Sequence, residues 1–205
     1  MDVLAQLGAG KPISERPHFS ESVAIAIAHL RDEDPLVVHS AAWALAHLND
    51  GTAVTALIEL RKHQDSDIRQ AIAVGMANSQ RAEAISTLIE LMEDDNDEVR
   101  NWATFELGMA YVDGGSGRLG TLDSSEILDA LRKRLNDTFP EVREEAIWGL
   151  ARRGDRTGLR LLLERLEAEQ RATGDETTAA EVLKREYDTP VEDLRKGLQS
   201  LIDAG

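Results

Sequence analysis

The sequence predicts an all-α, right-handed solenoid of about four to five helix pairs. Three observations predict it. A motif made of an acidic turn, an apolar anchor and a small-residue helix recurs as DPLVVHSAAWALAHL, DSDIRQAIAVGMA, NDEVRNWATFELGMA and FPEVREEAIWGLARR. The anchors Val37, Ile68, Val99 and Val142 are 31, 31 and 43 residues apart, and 43 is one period plus an insert of 12. The 205-residue chain is 42% hydrophobic and 30% charged with only 5 Pro, a profile of helical globular chains and not of disordered ones.

Each repeat resolves into two helices, A and B. Fourteen residues before the anchors stand Val23, Val54, Ile85 and Leu128; eleven before stand Ala26, Leu57, Leu88 and Leu131. A spacing of three within each pair makes the apolar stripe of helix A. Four residues after the anchors stand Ala41, Ile72, Ala103 and Ala146; eight after stand Leu45, Met76, Leu107 and Leu150. These form the stripe of helix B. The alanines let helices approach closely and favour helix by themselves.

The A–B turns are acidic: RDEDP, HQDSD and EDDND. An aspartate there caps free backbone N–H groups and meets the positive end of the helix dipole. Pro35 suits a first helical turn, where its missing N–H costs nothing. The run EDDNDE lacks the glycine and the closing glutamate of a calcium loop, so the acids read as caps.

The insert, YVDGGSGRLGTLDS at its core, reads as a flexible loop without the phosphate-loop spacing. A fifth A helix starts near Gly154-Asp155 with Leu159 and Leu162 as its stripe. The expected fifth anchor position is Thr173, where the B pattern is lost, and two atypical helices are expected around Pro190. The organisation expected is one domain over 1–205. It comprises an N-terminal extension (1–18), four repeats (19–153) with an insert at 110–123, and a degenerate C-terminal capping repeat (154–205).

There is no Cys, which excludes disulfides, thiolate metal sites and thiol catalysis. The first residues do not read as a signal peptide, and no apolar run reaches the roughly 20 residues of a membrane span. A cytoplasmic protein is expected. Net charge is −15; residues 1–113 carry 8 Lys/Arg against 19 Asp/Glu, and residues 114–205 carry 15 against 19. Such a balance disfavours nucleic acid, whose phosphates are bound through Lys and Arg. The basic runs Arg132-Lys133-Arg134 and Arg152-Arg153 read as cations near helix C-termini.

The units resemble HEAT repeats, in particular the short bacterial class of phycobilisome-lyase HEAT-like repeats. The residues carrying the resemblance are Asp34-Pro35 with Val37, Ala41, Ala42, Ala44 and Leu45, and the pairs Ile68-Arg69, Val99-Arg100 and Val142-Arg143. It covers about residues 20 to 170 and implies a fold, with B helices on the concave side and an Asp–Arg ladder between repeats through Arg69, Arg100 and Arg143. Val38 departs from the ladder. HEAT-type deoxyhypusine hydroxylases hold iron through His-Glu dipeptides, and this chain has none. HEAT-like DNA glycosylases use a basic groove, and this chain is acidic. Bilin lyases share the repeat, but no catalytic residue of theirs can be matched.

At about 100° per residue, the positions two, three, six and ten after each anchor lie opposite the core stripe of helix B. They hold His39, Ser40, Trp43 and His47, then Gln70, Ala71, Val74 and Asn78. Next come Asn101, Trp102, Phe105 and Met109, then Glu144, Glu145, Trp148 and Arg152. Trp43, Phe105 and Trp148 share one column, with Val74 in the gap. The candidate binding residues are therefore His39, Trp43, His47, Val74, Asn78, Trp102, Phe105, Met109, Trp148 and Arg152. His39 and His47 sit about 12 Å apart along a helix, too far to share a metal ion. Glu106 stands seven after its anchor, where other repeats have Ala44, Gly75 and Gly149. It should face partly inward and pair with a cation, such as an Arg of the ladder, or else serve a site.

No Ser-His-Asp or paired-carboxylate arrangement emerges. The function expected is a non-catalytic scaffold binding a protein or peptide, with no cofactor, no metal and no membrane partner. The alternative is an enzyme or lyase-like accessory protein acting on a planar ligand, a tetrapyrrole or a nucleobase.

Overall fold

The computed structural model describes residues 18–48, 51–77, 79, 81–109 and 125–173, with 196, 199–200 and 202–203 near the C-terminus. The insert expected at 110–123 and most of the region around Pro190 lie outside the described residues. The chain divides into two compact units, residues 1–110 and 111–205.

Among the described residues every regular element is a helix. The first unit holds α1 (Phe19–His29), α2 (Pro35–Leu48), α3 (Val54–Ile58), α4 (Ser66–Gly75), α5 (Ala82–Leu91) and α6 (Asp97–Met109). The second holds α7 (Ser125–Arg134), α8 (Pro140–Arg152) and α9 (Arg156–Thr173). Odd-numbered helices are the A helices and even-numbered ones the B helices. Each B helix packs on the A helix before it, and α2, α4 and α6 pack on one another in sequence. The fold is an α-solenoid.

The acidic turns start the B helices as caps. Asp34 Oδ1 accepts from the Leu36 N–H at 2.9 Å, and Asp65 Oδ1 from the Asp67 N–H at 2.9 Å. Asn96 Oδ1 accepts from the Val99 N–H at 3.1 Å. Asp155 does the same for α9, accepting from the N–H groups of Thr157 and Gly158. Each bond satisfies a donor that the first helical turn leaves free. Pro35 and Pro140 open α2 and α8, where no N–H is required.

The core is the meeting of the two stripes. Leu45, Ile68, Ile72, Met76, Val99, Leu107, Val142 and Leu150 from the B helices are buried against Val23, Val54, Leu57, Leu88 and Leu131 from the A helices. Leu159 and Leu162 of α9 are buried at the places the fifth stripe required. The close approach has a steric cause. A Cβ on Gly158 would fall 2.6 Å from the Ala151 amide nitrogen, so only glycine lets α9 meet α8 there.

Two stripe assignments shift by one residue. In the first repeat Val38 is buried and the anchor Val37 is only half-buried. Val38 stands where the other repeats place the stem of the ladder arginine, so an apolar residue is drawn inward. In the fourth repeat Ile127 is buried and Leu128 half-buried. Two adjacent apolar side chains compete for one inward direction, and the helix rotates to bury the first. Helix α3 is also short, because its end tightens into i→i+3 bonds from Leu60 to Leu57 and from Arg61 to Ile58.

The arginine ladder takes a regular form. Arg69, Arg100 and Arg143 each donate to two carbonyls of their own A–B turn: His63 and Gln64, Asp94 and Asp95, Asp137 and Thr138. Arg69 also bridges to the next turn, donating through Nε and a terminal nitrogen to both Asp94 oxygens at 2.7 Å. Burial would raise the Asp94 carboxyl. The Arg69 bonds and the Asn96 N–H outweigh it and hold the group below its usual value.

Candidate binding face

The face of helix B opposite the core carries the aromatic residues, in each unit by itself. In the first repeat His39, Trp43 and His47 follow one another a helical turn apart on α2. The His39 and Trp43 ring centroids are 6.5 Å apart, and those of Trp43 and His47 are 5.6 Å apart. Helical spacing of four stacks such side chains along one stripe. Trp43 and His39 are half-buried and His47 is exposed. Among the described residues no group of His, Asp or Glu forms a metal-holding cluster.

In the second repeat Val74 is half-buried, as is Gln70 one turn earlier. Asn78 lies outside the described residues. In the third repeat Trp102 and Phe105 meet edge to face, with centroids 5.7 Å apart and planes at 81°. The positive ring edge then lies against the negative ring face, the preferred arrangement. Both rings are half-buried, and Met109 beyond them is 37% exposed. In the second unit Trp148 is half-buried, and the Arg152 guanidinium lies 5.6 Å from its ring centroid, within cation–π range.

Every described ring of the set thus keeps part of its surface in solvent. The structure brings His39 and His47 to Trp43, Phe105 to Trp102, and Arg152 to Trp148. Among the described residues no ring contact joins Trp43 to Trp102 or Phe105.

Glu106 corrects an expectation. Its side chain is 8% exposed, yet it pairs with no described cation. Desolvation pushes its pKa up to about 7. The ladder arginine of the same helix, Arg100, is bound to Asp97 and to the carbonyls of Asp94 and Asp95. That draws its guanidinium toward the helix start, about 13 Å along the axis from position 106. Among its described residues the face offers aromatic surface, with one buried acid beside it.

An α-solenoid of paired helices with an Arg–turn ladder defines the class. The family model for HEAT repeats matches residues 21–108 and 118–184, and the chain belongs to that family. Protein YibA of Escherichia coli strain K12 is 33% identical over 104 residues, covering 51% of this chain and 34% of YibA. YibA of Escherichia coli O157:H7 gives the same values. The chain thus spans about a third of the length of these curated relatives. The X-ray structure of Escherichia coli YibA aligns with a TM-score of 0.58 at 20% identity, covering 100% of this chain and 81% of that one. A designed armadillo repeat protein in complex with the peptide (KR)4 aligns with a TM-score of 0.57 at 17% identity, covering 98% and 90% of the two chains. Among the described residues no helix is long and apolar enough to cross a membrane.

Proposed function

We propose that this protein is a non-catalytic binding module that holds a polypeptide on the aromatic face of its B helices opposite the core stripe, the concave side that the repeat resemblance implies. The observation that carries the reading is the half-burial of Trp43, Phe105 and Trp148, which occupy one column of the repeat. A ring left partly in water gains on binding the burial it lacks in the free protein, the usual basis of an aromatic hot spot. The designed armadillo repeat protein supports the reading as a helical repeat seen with a peptide. We also keep the short bacterial repeat class suggested by the sequence as a proposal about ancestry.

Affinity capture on the immobilised chain tests this. A polypeptide retained by the wild type should be lost or weakened by Trp43→Ala, Trp102→Ala or Trp148→Ala, by about 2 kcal/mol at a central ring. Retention unchanged in all three variants would reject the face as the binding surface.

A further inference from the structure

Helix α6 departs from the other B helices at a tight column. Seven residues after the anchor stand Ala44 in α2, Gly75 in α4 and Gly149 in α8, but Glu106 in α6. A Cβ at Gly75 would lie 2.6 Å from Leu57 Cδ1 and 3.5 Å from Ala46 Cα of the preceding B helix. The column therefore looks first toward the A helix of its own repeat and next toward the previous B helix, and by register Glu106 looks toward α5 and α4. A carboxylate taken out of water without a partner costs free energy that the fold must supply.

The cations nearby are engaged. On α4, Arg69 is held by Asp94, while Asp67 is exposed. On α5, Glu83 meets Arg81, and Glu90 meets Arg61 and Lys62. On α6 itself, Arg100 is bound to Asp97 in the first turn. No described side chain is bonded to Glu106. By register Trp102 stands one helical turn earlier on the same stripe, edge to face with Phe105. A ring face and a carboxylate both attract a cation. The net charge of −15 draws basic segments toward the chain and repels acidic ones.

We propose that Glu106, at the seam of α6 with α4 and α5, receives a lysine or arginine side chain of an extended basic polypeptide, whose stem lies on Trp102 and Phe105. The proposal rests on the reading of the B-helix face as a polypeptide-binding surface. The incoming cation supplies the partner that the fold withholds. An anionic segment, protein or nucleic acid, would set like charges together.

Short synthetic peptides carrying several Lys and Arg residues test it. A matched set has each Lys acetylated and each Arg replaced by citrulline. Both sets are titrated at about 0.15 M salt, where long-range attraction is screened. The proteins are the wild type, Glu106→Gln, Glu98→Gln and Trp102→Ala. Glu98 lies exposed on the same helix, so its variant removes the same charge without touching that seam. The wild type should bind the basic set and lose affinity for the neutralised set. Glu106→Gln should bind the basic set about tenfold or more weaker, the loss expected of one charge-assisted bond. Glu98→Gln should stay within about twofold of the wild type. Equal affinities for the Glu106 and Glu98 variants would overturn the cation assignment. If Trp102→Ala still weakened binding in that case, the face would stand and only its charge preference would fall. Binding that ignores both variants, or no binding of either peptide set, would remove both.

Discussion

Helices α4 and α6 hold successive places in one stack and use them differently. In α4 the outer and inward-turning positions are Ala71, Val74 and Gly75, residues that let the neighbouring backbone come close. In α6 the same positions are Trp102, Phe105 and Glu106. Both helices bury an anchor and a stripe of apolar side chains: Ile68, Ile72 and Met76 in one, Val99, Ala103 and Leu107 in the other. The scaffold is therefore set by the stripe and the arginine ladder, which the two helices share. What lies off the stripe is free to vary, and in α6 it carries rings and an acid that the scaffold does not require.

The sharpest way to break this contrast is to give α4 the acid of α6. Gly75→Glu would drive a Cβ to within 2.6 Å of Leu57 Cδ1 and bury a carboxyl beside it. Overpacking and burial together should cost about 4 kcal/mol or more, read as a fall in the urea midpoint. A near-neutral result would show that the column is looser than the glycine suggests.

A smaller effect tests what the helices share. Arg69→Ala should cost about 2 kcal/mol, because Asp94 is left in a site 10% exposed without its bidentate partner. The Arg31–Glu59 pair, just past the ends of α1 and α3, is exposed on both sides. Its removal should cost under about 1 kcal/mol.

A pH window separates Glu106 from the other acids. Its folded pKa of about 7 lies above the ordinary 4.5. Stability from this group is complete below pH 4.5, falls as pH rises toward 7, and is lost above it. The loss should be about 3 kcal/mol. Glu106→Gln should abolish it, leaving the variant more stable than the wild type at pH 8. Asp94 and Asp155 are held low, since bonds from Arg69 and Arg132 outweigh their burial. Their stabilisation is therefore lost only as pH falls through their folded values, below the ordinary 3.8.

Much of this was legible in the residues. Period and stripe located the helices, because a buried stripe must recur every turn. The acidic turns announced caps on α2, α4 and α6, because a short polar side chain reaches free N–H groups there. Spacing of four put His39, Trp43 and His47, and likewise Trp148 and Arg152, on one face, and the structure adds their ring contacts. Adjacent apolar pairs were less legible: Val37 with Val38 and Ile127 with Leu128 both satisfy the pattern, and only packing chooses between them. The isolation of Glu106 was hidden for a different reason. It depends on where Arg100 sends its guanidinium, and two turn carbonyls with Asp97 claimed it.

The central claim is that the rings of the B-helix face stand outside the core. It is tested most directly on one helix, by comparing the unfolding free energies of Trp102→Ala and Leu107→Ala. Leu107 is fully buried and its truncation should cost about 2–5 kcal/mol, whereas Trp102 is half-buried. Trp102→Ala should cost less than half as much as Leu107→Ala. Equal losses would make Trp102 a core residue and contradict the claim.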